Sequence, residues 1–240
     1  MSATAPPAGP TAGGTEAPAK AAEPATTAPT PKPGVPVDAS PPPGTKPLDE
    51  AESKELAGTC KKLMDVIAST AKKDGGKKRP IDYAMDVVAH PPKLAGVDVP
   101  RCGDLVVRDM IEYLARTREN EAKLNLKRIV VGLMTALERD VPILCPSAPA
   151  VPPDLATVKD VPFASTGADW KAPGWTCARF DLSGGQQVFQ YELRSDATAK
   201  TFEVIARGYP VQGAPPTELY VAGKVESGAI DPSVPVMRRP

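Results

Sequence analysis

The chain has 240 residues, 29 basic against 29 acidic side chains, one histidine and 30 prolines, 13 of which precede residue 48. Net neutrality removes the electrostatic basis for nucleic-acid binding, which needs clustered, uncompensated Lys and Arg. No run approaches the ~18 apolar residues of a membrane helix, and the N-terminus has neither a basic start nor an apolar core segment, so the chain as given predicts a soluble protein with no membrane insertion and no export signal of its own.

Residues 1–47 are almost entirely Pro, Ala, Thr, Gly and Ser, with Val35 and Val37 the only sizeable hydrophobes. Too little apolar surface is available there to offset the entropy of ordering a backbone, so a disordered or polyproline-like tail is expected. Residues 48–103 read as a helical extension. Its first helix is expected to start after Asp49 as N-cap, to place Leu56, Cys60, Leu63, Met64, Ile67 and Ala71 on one face, and to end at Gly75 and Gly76. A second amphipathic helix is expected from Pro80, with Ile81, Ala84, Met85 and Val88 inward, stopping at His90 before Pro91 and Pro92. The basic run Lys72, Lys73, Lys77, Lys78, Arg79 around the two glycines reads as a solvated interhelical loop, with contact to an acidic partner or lipid headgroup as the alternative.

Residues 104–240 read as a domain of one helix and one sheet. From Asp104 to about Arg139 there is no proline, and Val107, Met110, Ile111, Leu114, Ala122, Leu126, Ile129, Leu133 and Leu137 recur at helical spacing. This predicts a spine helix of roughly 50 Å at 1.5 Å per residue, with Leu114, Ala122, Leu126, Ile129 and Leu133 facing a sheet. Four alternating segments, 176–182, 187–194, 201–207 and 217–225, separated by Gly, Ser, Asp and Pro, predict a four-stranded antiparallel meander. The fold class is α+β.

No pattern carries catalytic chemistry. His90 stands between Ala89 and two prolines; Glu119 and Glu121 lie two apart on a helix and point to different sides, where pairing with Arg116, Arg118 and Lys123 is expected; and Ser183, Gly184, Gly185 reads as a hairpin turn rather than a phosphate loop. Trp170, Trp175, Phe189 and Tyr191 are four of only eleven aromatics. Phe189 and Tyr191 read as core. Trp170 and Trp175 sit around a loop where exposure would make a glycan- or peptide-binding surface.

The stretch "IEYLARTRENEAKLNLKRI", Ile111 to Ile129, resembles the part of the type IV pilin spine helix that enters the globular head. "GWTCARFDL", "QVFQYELRSD" and "TFEVIARG" then resemble, in order and spacing, the head sheet of pilins of delta-proteobacterial type or of pseudopilin-like proteins. The resemblance spans roughly residues 105–226 and implies the head fold, protein partners such as pilus or secretion-system components, and no catalysis. A pilin's basic leader, early glutamate and membrane-spanning apolar helix have no counterpart in these residues, so the family's assembly residues do not carry over.

Cys60, Cys102, Cys145 and Cys177 are an even number with no zinc spacing. Pilin-like heads often fasten a peripheral loop with a cysteine pair. A Cys145–Cys177 bridge would clip the helix-to-sheet connection to the first strand, leaving Cys60 to join Cys102. Free buried thiols remain the alternative, since Cys60 fits its apolar stripe. The sequence therefore predicts a structural or protein-interaction module of the bacterial cell envelope, with no enzyme activity, cofactor or metal. The alternative is a binding module using Trp170 and Trp175. The location is periplasmic or at the cell surface if an export signal was trimmed, and cytoplasmic if the chain is complete as given.

Overall fold

The computed structural model describes residues 35–36, 46–139, 143–159, 161–211, 214–231 and 233–239. Most of the tail, residues 1–47, lies outside them. Of that region Val35–Pro36 forms a short strand, β1, which the expectation of a wholly disordered tail does not contain.

The first expected helix is two. α1, Glu50–Ala57, opens on a capping box in which the Asp49 carboxylate accepts from the Glu52 N–H and the Glu52 carboxylate from the Asp49 N–H. It stops at Gly58, and α2, Lys61–Lys73, resumes after Cys60. α3, Pro80–Ala89, follows, with proline pre-set for its first turn. α4 then runs without a break over Val99–Leu137, 39 residues or roughly 58 Å. It starts five residues before Asp104 because Pro100 lies in its first turn, where a missing N–H costs nothing, and the Asp98 carboxylate caps the Arg101 N–H.

β2, Ala148–Val151, a 3-10 turn at Leu155–Val158 and β3, Phe163–Ala164, lead to α5, Pro173–Ala178. α5 replaces most of the expected strand 176–182. Pro173 favours a helical first turn, and the left-handed Arg179 (φ 51°) ends it. Two glycines permit its packing: a Cβ on Gly132 would lie 1.9 Å from the Ala178 carbonyl oxygen, and one on Gly174 would lie 2.3 Å from that of Pro146. β4, Gln186–Gln187, pairs with β3. The main sheet comes from β5, Phe189–Asp196, β6, Thr201–Gly208, and β7, Thr217–Glu226, with β8, Ala229–Ile230, and β9, Met237–Arg239. Six strands lie in the order β1-β9-β7-β6-β5-β2, and β8 pairs with β7 off this path. Every pairing is antiparallel. The meander itself therefore has three strands, β5 to β7, extended by β2 on one side and by β9 and β1 on the other.

Two apolar clusters are built on α4. Leu56, Cys60, Leu63, Ile67, Tyr83, Ala84 and Val87 pack on Val99, Cys102, Leu105 and Val106. Ala122, Leu126, Ile129, Leu133 and Ala136 pack with the inward residues Phe189, Tyr191, Leu193, Phe202, Val204, Leu219 and Val221 of the sheet. Each cluster holds one disulfide, Cys60–Cys102 and Cys145–Cys177, which are the pairings read from the sequence.

The opposite face of the sheet carries a closed ring of alternating charge. Arg194 and Arg207 both bond Glu192, at 2.7 and 2.5 Å; Arg207 also pairs with Glu218, Glu218 with Arg239, Arg239 with Glu203, and Glu203 with Arg194 at 3.6 Å. Burial alone would raise the Glu192 carboxyl, but the two guanidiniums outweigh it and hold it below its ordinary value. Ile205 and Tyr220, paired across β6 and β7, are buried on this face, and the Arg239 guanidinium stacks on the Tyr220 ring.

Candidate docking face on the long helix

The two clusters use opposite faces of α4. At 3.6 residues per turn, positions 18 apart coincide in rotation about the axis. Val106 is buried against α1 to α3, yet Leu124, five turns on, is 65 % exposed. Conversely Ala122 is buried against the sheet, while Asp104, five turns back, faces solvent. Between Met110 and Ala122 the only fully buried apolar side chain is Ala115. Over these three turns the buried side passes from one face to the other. The face that α1 to α3 cover near the N-terminus therefore continues bare. It carries Tyr113 at 68 %, Leu124 at 65 % and Val131 at 59 % exposure, with Tyr113 and Val131 five turns apart in nearly the same rotational position.

Both ends of this bare stripe are concave. At its head, where α3 ends its contact with α4, a groove of about 690 Å³ is lined by Leu48, Ile81, Met110, Tyr113 and Leu114, with both charge signs around them: Arg79, Arg116 and Arg118 beside Asp109 and Glu112. Arg116 pairs with Glu112, and Arg79 forms two bonds to Asp82 at 2.8 and 2.9 Å. Arg118 donates to the Pro210 carbonyl at 3.0 Å. Burial lowers its pKa, and the like charge of Arg79 adds to that. Leu114 lines this groove and is not part of the sheet core, contrary to expectation. At the foot a shallower groove of about 480 Å³ lies between α4 and α5, lined by Leu124, Lys127, Arg128, Val131 and Arg179, among others, and by no carboxylate. Arg128 donates to the Asn125 side-chain oxygen at 3.2 Å and stacks over Phe180.

The residues singled out in the sequence fall elsewhere. Trp170 and Trp175 are 3 % and 0 % exposed, so they form no binding surface. Trp170 meets both Trp175 and Phe180 edge-on, Trp175 lies tilted against Phe180, and the Trp175 N–H donates to the Pro149 carbonyl at 3.1 Å. The loop before α5 folds inward because the Cys177 bridge and the two close glycine contacts draw α5 onto α4 and β2. Glu119 does not pair with Arg116 or Arg118. It points inward and accepts from Arg238 of β9 at 2.6 Å, both side chains being buried. Burial pushes the Glu119 carboxyl up while Arg238 pulls it down. The basic loop is neutralised locally by Lys78–Asp86, Lys77–Asp74 and the Arg79–Asp82 pair, and His90 caps α3. Among the described residues no group of three or more His, Cys, Asp or Glu is placed to hold a metal ion, and no helix is long and apolar enough to cross a membrane.

Sequence reasoning missed the bare face because a helix that changes its buried side midway has apolar residues all round, and Tyr113, Leu124 and Val131 read as part of that background. The usable signal was the recurrence at 106, 113, 124 and 131, which continues the N-terminal apolar stripe past the last residue of α3 able to cover it. No family model, no curated protein and no solved structure matches the chain.

Proposed function

We propose that this chain is a non-catalytic structural or protein-interaction module of the bacterial cell envelope, in which α4 is held by a disulfide-bonded cluster at each end and offers its bare face to a protein partner. The observation that carries this reading is the stripe of Tyr113, Leu124 and Val131 on one unbroken helix, flanked by two grooves. These three hydrophobes share one line over five turns, with the polar Thr117 and Asn120 between Tyr113 and Leu124, an alignment that single scattered surface hydrophobes do not have. The two disulfides support an oxidising compartment. The pilin-like plan is supported by the long helix lying on an antiparallel sheet, and it loses the Trp-x-Cys strand, which is helical.

The test is site-directed photo-crosslinking in the native host, with a benzophenone amino acid at Tyr113 or at Leu124 and, as control, at Lys61 on the exposed side of α2. A common adduct at the first two positions, recovered from the envelope fraction and missing at the third, is expected. No adduct at either stripe position overturns the reading.

A further inference from the structure

We infer that the bare face of α4 binds an amphipathic helix with acidic flanks, supplied by a different protein. This rests on the reading of the face as an interaction surface and names the chemistry of what it takes.

A helix receives a neighbour by accepting each apolar side chain into a hollow formed by residues i, i+3, i+4 and i+7. On α4 one such hollow is Leu124, Lys127, Arg128 and Val131, apolar above and below and basic on both sides. Arg179, the residue that ends α5, adds a third cation to its rim. Among the described residues no carboxylate is ion-paired with Lys127, Arg128 or Arg179. An apolar knob entering this hollow therefore brings the most favourable flanks if they are Asp or Glu, as at the flanking positions of coiled coils. From Tyr113 to Val131 the stripe is about 27 Å long at 1.5 Å per residue, the length of a five-turn partner helix. The groove beside Tyr113 supplies the deeper apolar anchor at one end.

A second copy of this chain fits poorly. A parallel pairing sets Lys127 against Lys127. An antiparallel pairing that matches Tyr113 to Val131 sets Arg116 against Arg128, and one that matches Leu124 to Val131 sets Lys127 against Arg128. Each of these arrangements sets like charges against each other within the contact, which works against association. An antiparallel pairing centred on Leu124 sets Lys127 against Glu121, but it places Tyr113 opposite Thr135 and Val131 opposite Thr117, so that only the two Leu124 side chains meet as hydrophobes. The N-terminal tail fits poorly too, since it has three acidic residues in its first 45 and prolines throughout.

The probes are two 21-residue helical peptides with Leu at the a and d heptad positions, one with Glu and one with Lys at e and g, titrated into the full chain by fluorescence anisotropy. The Glu peptide is expected to bind, and to weaken as salt rises. A Lys127→Glu/Arg179→Glu variant, altered at two exposed side chains, should lose about tenfold or more for the Glu peptide and gain affinity for the Lys peptide. Leu124→Glu should abolish binding of both. Equal binding of the two peptides, or no response to charge reversal, overturns the inference. So does concentration-dependent self-association that Leu124→Glu abolishes, which would give the face to a second copy. Binding seen only after removal of residues 1–45 would give it to the tail and overturn it equally. Crosslinks at Tyr113 and Leu124 to a partner segment that is neither helical nor acidic would leave the interaction module standing and remove only this inference.

Discussion

Leu126 and Leu124 are two residues apart on one helix and differ completely in consequence. Leu126 is fully buried between α4 and the sheet, and truncation of such a side chain costs about 2–5 kcal/mol through lost transfer energy and the cavity left behind. Leu126→Ala is therefore expected to lower the denaturant midpoint strongly, whereas Leu124→Ala should change stability by no more than about 0.5 kcal/mol. Equal effects in equilibrium unfolding would reverse the orientation assigned to α4. Gly132 is a second position where a small change has a large effect. A methyl group there would meet the Ala178 carbonyl oxygen at 1.9 Å, against backbone that the Cys145–Cys177 bridge and the Gly174 contact hold in place. Gly132→Ala should cost about 1–3 kcal/mol or more by overpacking, even though alanine is the better helix former. Its signature in solution would be altered fluorescence from Trp175, which lies on the α5 segment that must move.

Among the elements, the small helices depend on contacts distant in sequence. Glu52 of α1 accepts from Arg108 of α4 in two bonds of 2.9 Å. That guanidinium first, with the Asp49 backbone N–H second, lowers the Glu52 pKa to about 2. A depressed carboxylate stabilises the fold above its unfolded value, 4.5, and the contribution disappears as pH falls from there to about 2. The difference in melting temperature between the native chain and Glu52→Gln should thus be widest near neutral pH and close over that interval. A difference that persists unchanged at pH 2 would mean that the charge of Glu52 has no part in it. The sequence made α4 plain, because three dozen proline-free residues with apolar spacing of three and four have no other regular conformation. It showed the three meander strands through alternation and turn residues. It did not show α5, whose six residues are too few to display a helical period and whose last residue, Ala178, alternates with the following Phe180 and Leu182 as a strand would. β2 was hidden by Pro149, and β9 by its two arginines, which read as surface until Glu119, 119 residues earlier, supplies the buried partner of Arg238. The pairing of cysteines was legible because each pair flanks an end of the long helix. The docking face was not, since its identity depends on where α3 stops covering α4.

At the level of the whole molecule, two apolar clusters share a single helix and little else among the described residues. Each is closed by its own disulfide, joining residues 42 and 32 apart. By the chain-entropy model, loops of these sizes contribute about 4 kcal/mol each. Removing Cys60 and Cys102 together, as Cys60→Ala/Cys102→Ala, should selectively weaken the smaller cluster. Native-state hydrogen exchange would then show amides of α1 to α3 opening well before those of β5 to β7, and thermal unfolding would depart from a single two-state transition. Uniform loss of protection over both regions would instead mean that α4 couples the two clusters into one cooperative unit.

The crossing of the buried side over from one face of α4 to the other also has a mechanical meaning. Tension applied between the helical cluster and the sheet passes, among the described residues, along three turns of α4 that neither disulfide loop encloses and neither apolar cluster clamps, and that Arg118 and Glu119 tie to Pro210 and to Arg238 near their far end. Those turns would act as the spring between the two blocks that the clusters form, and Tyr113 sits on them. A partner helix laid from Tyr113 to Val131 would splint that spring, so occupancy of the face would set how far the two blocks yield under load.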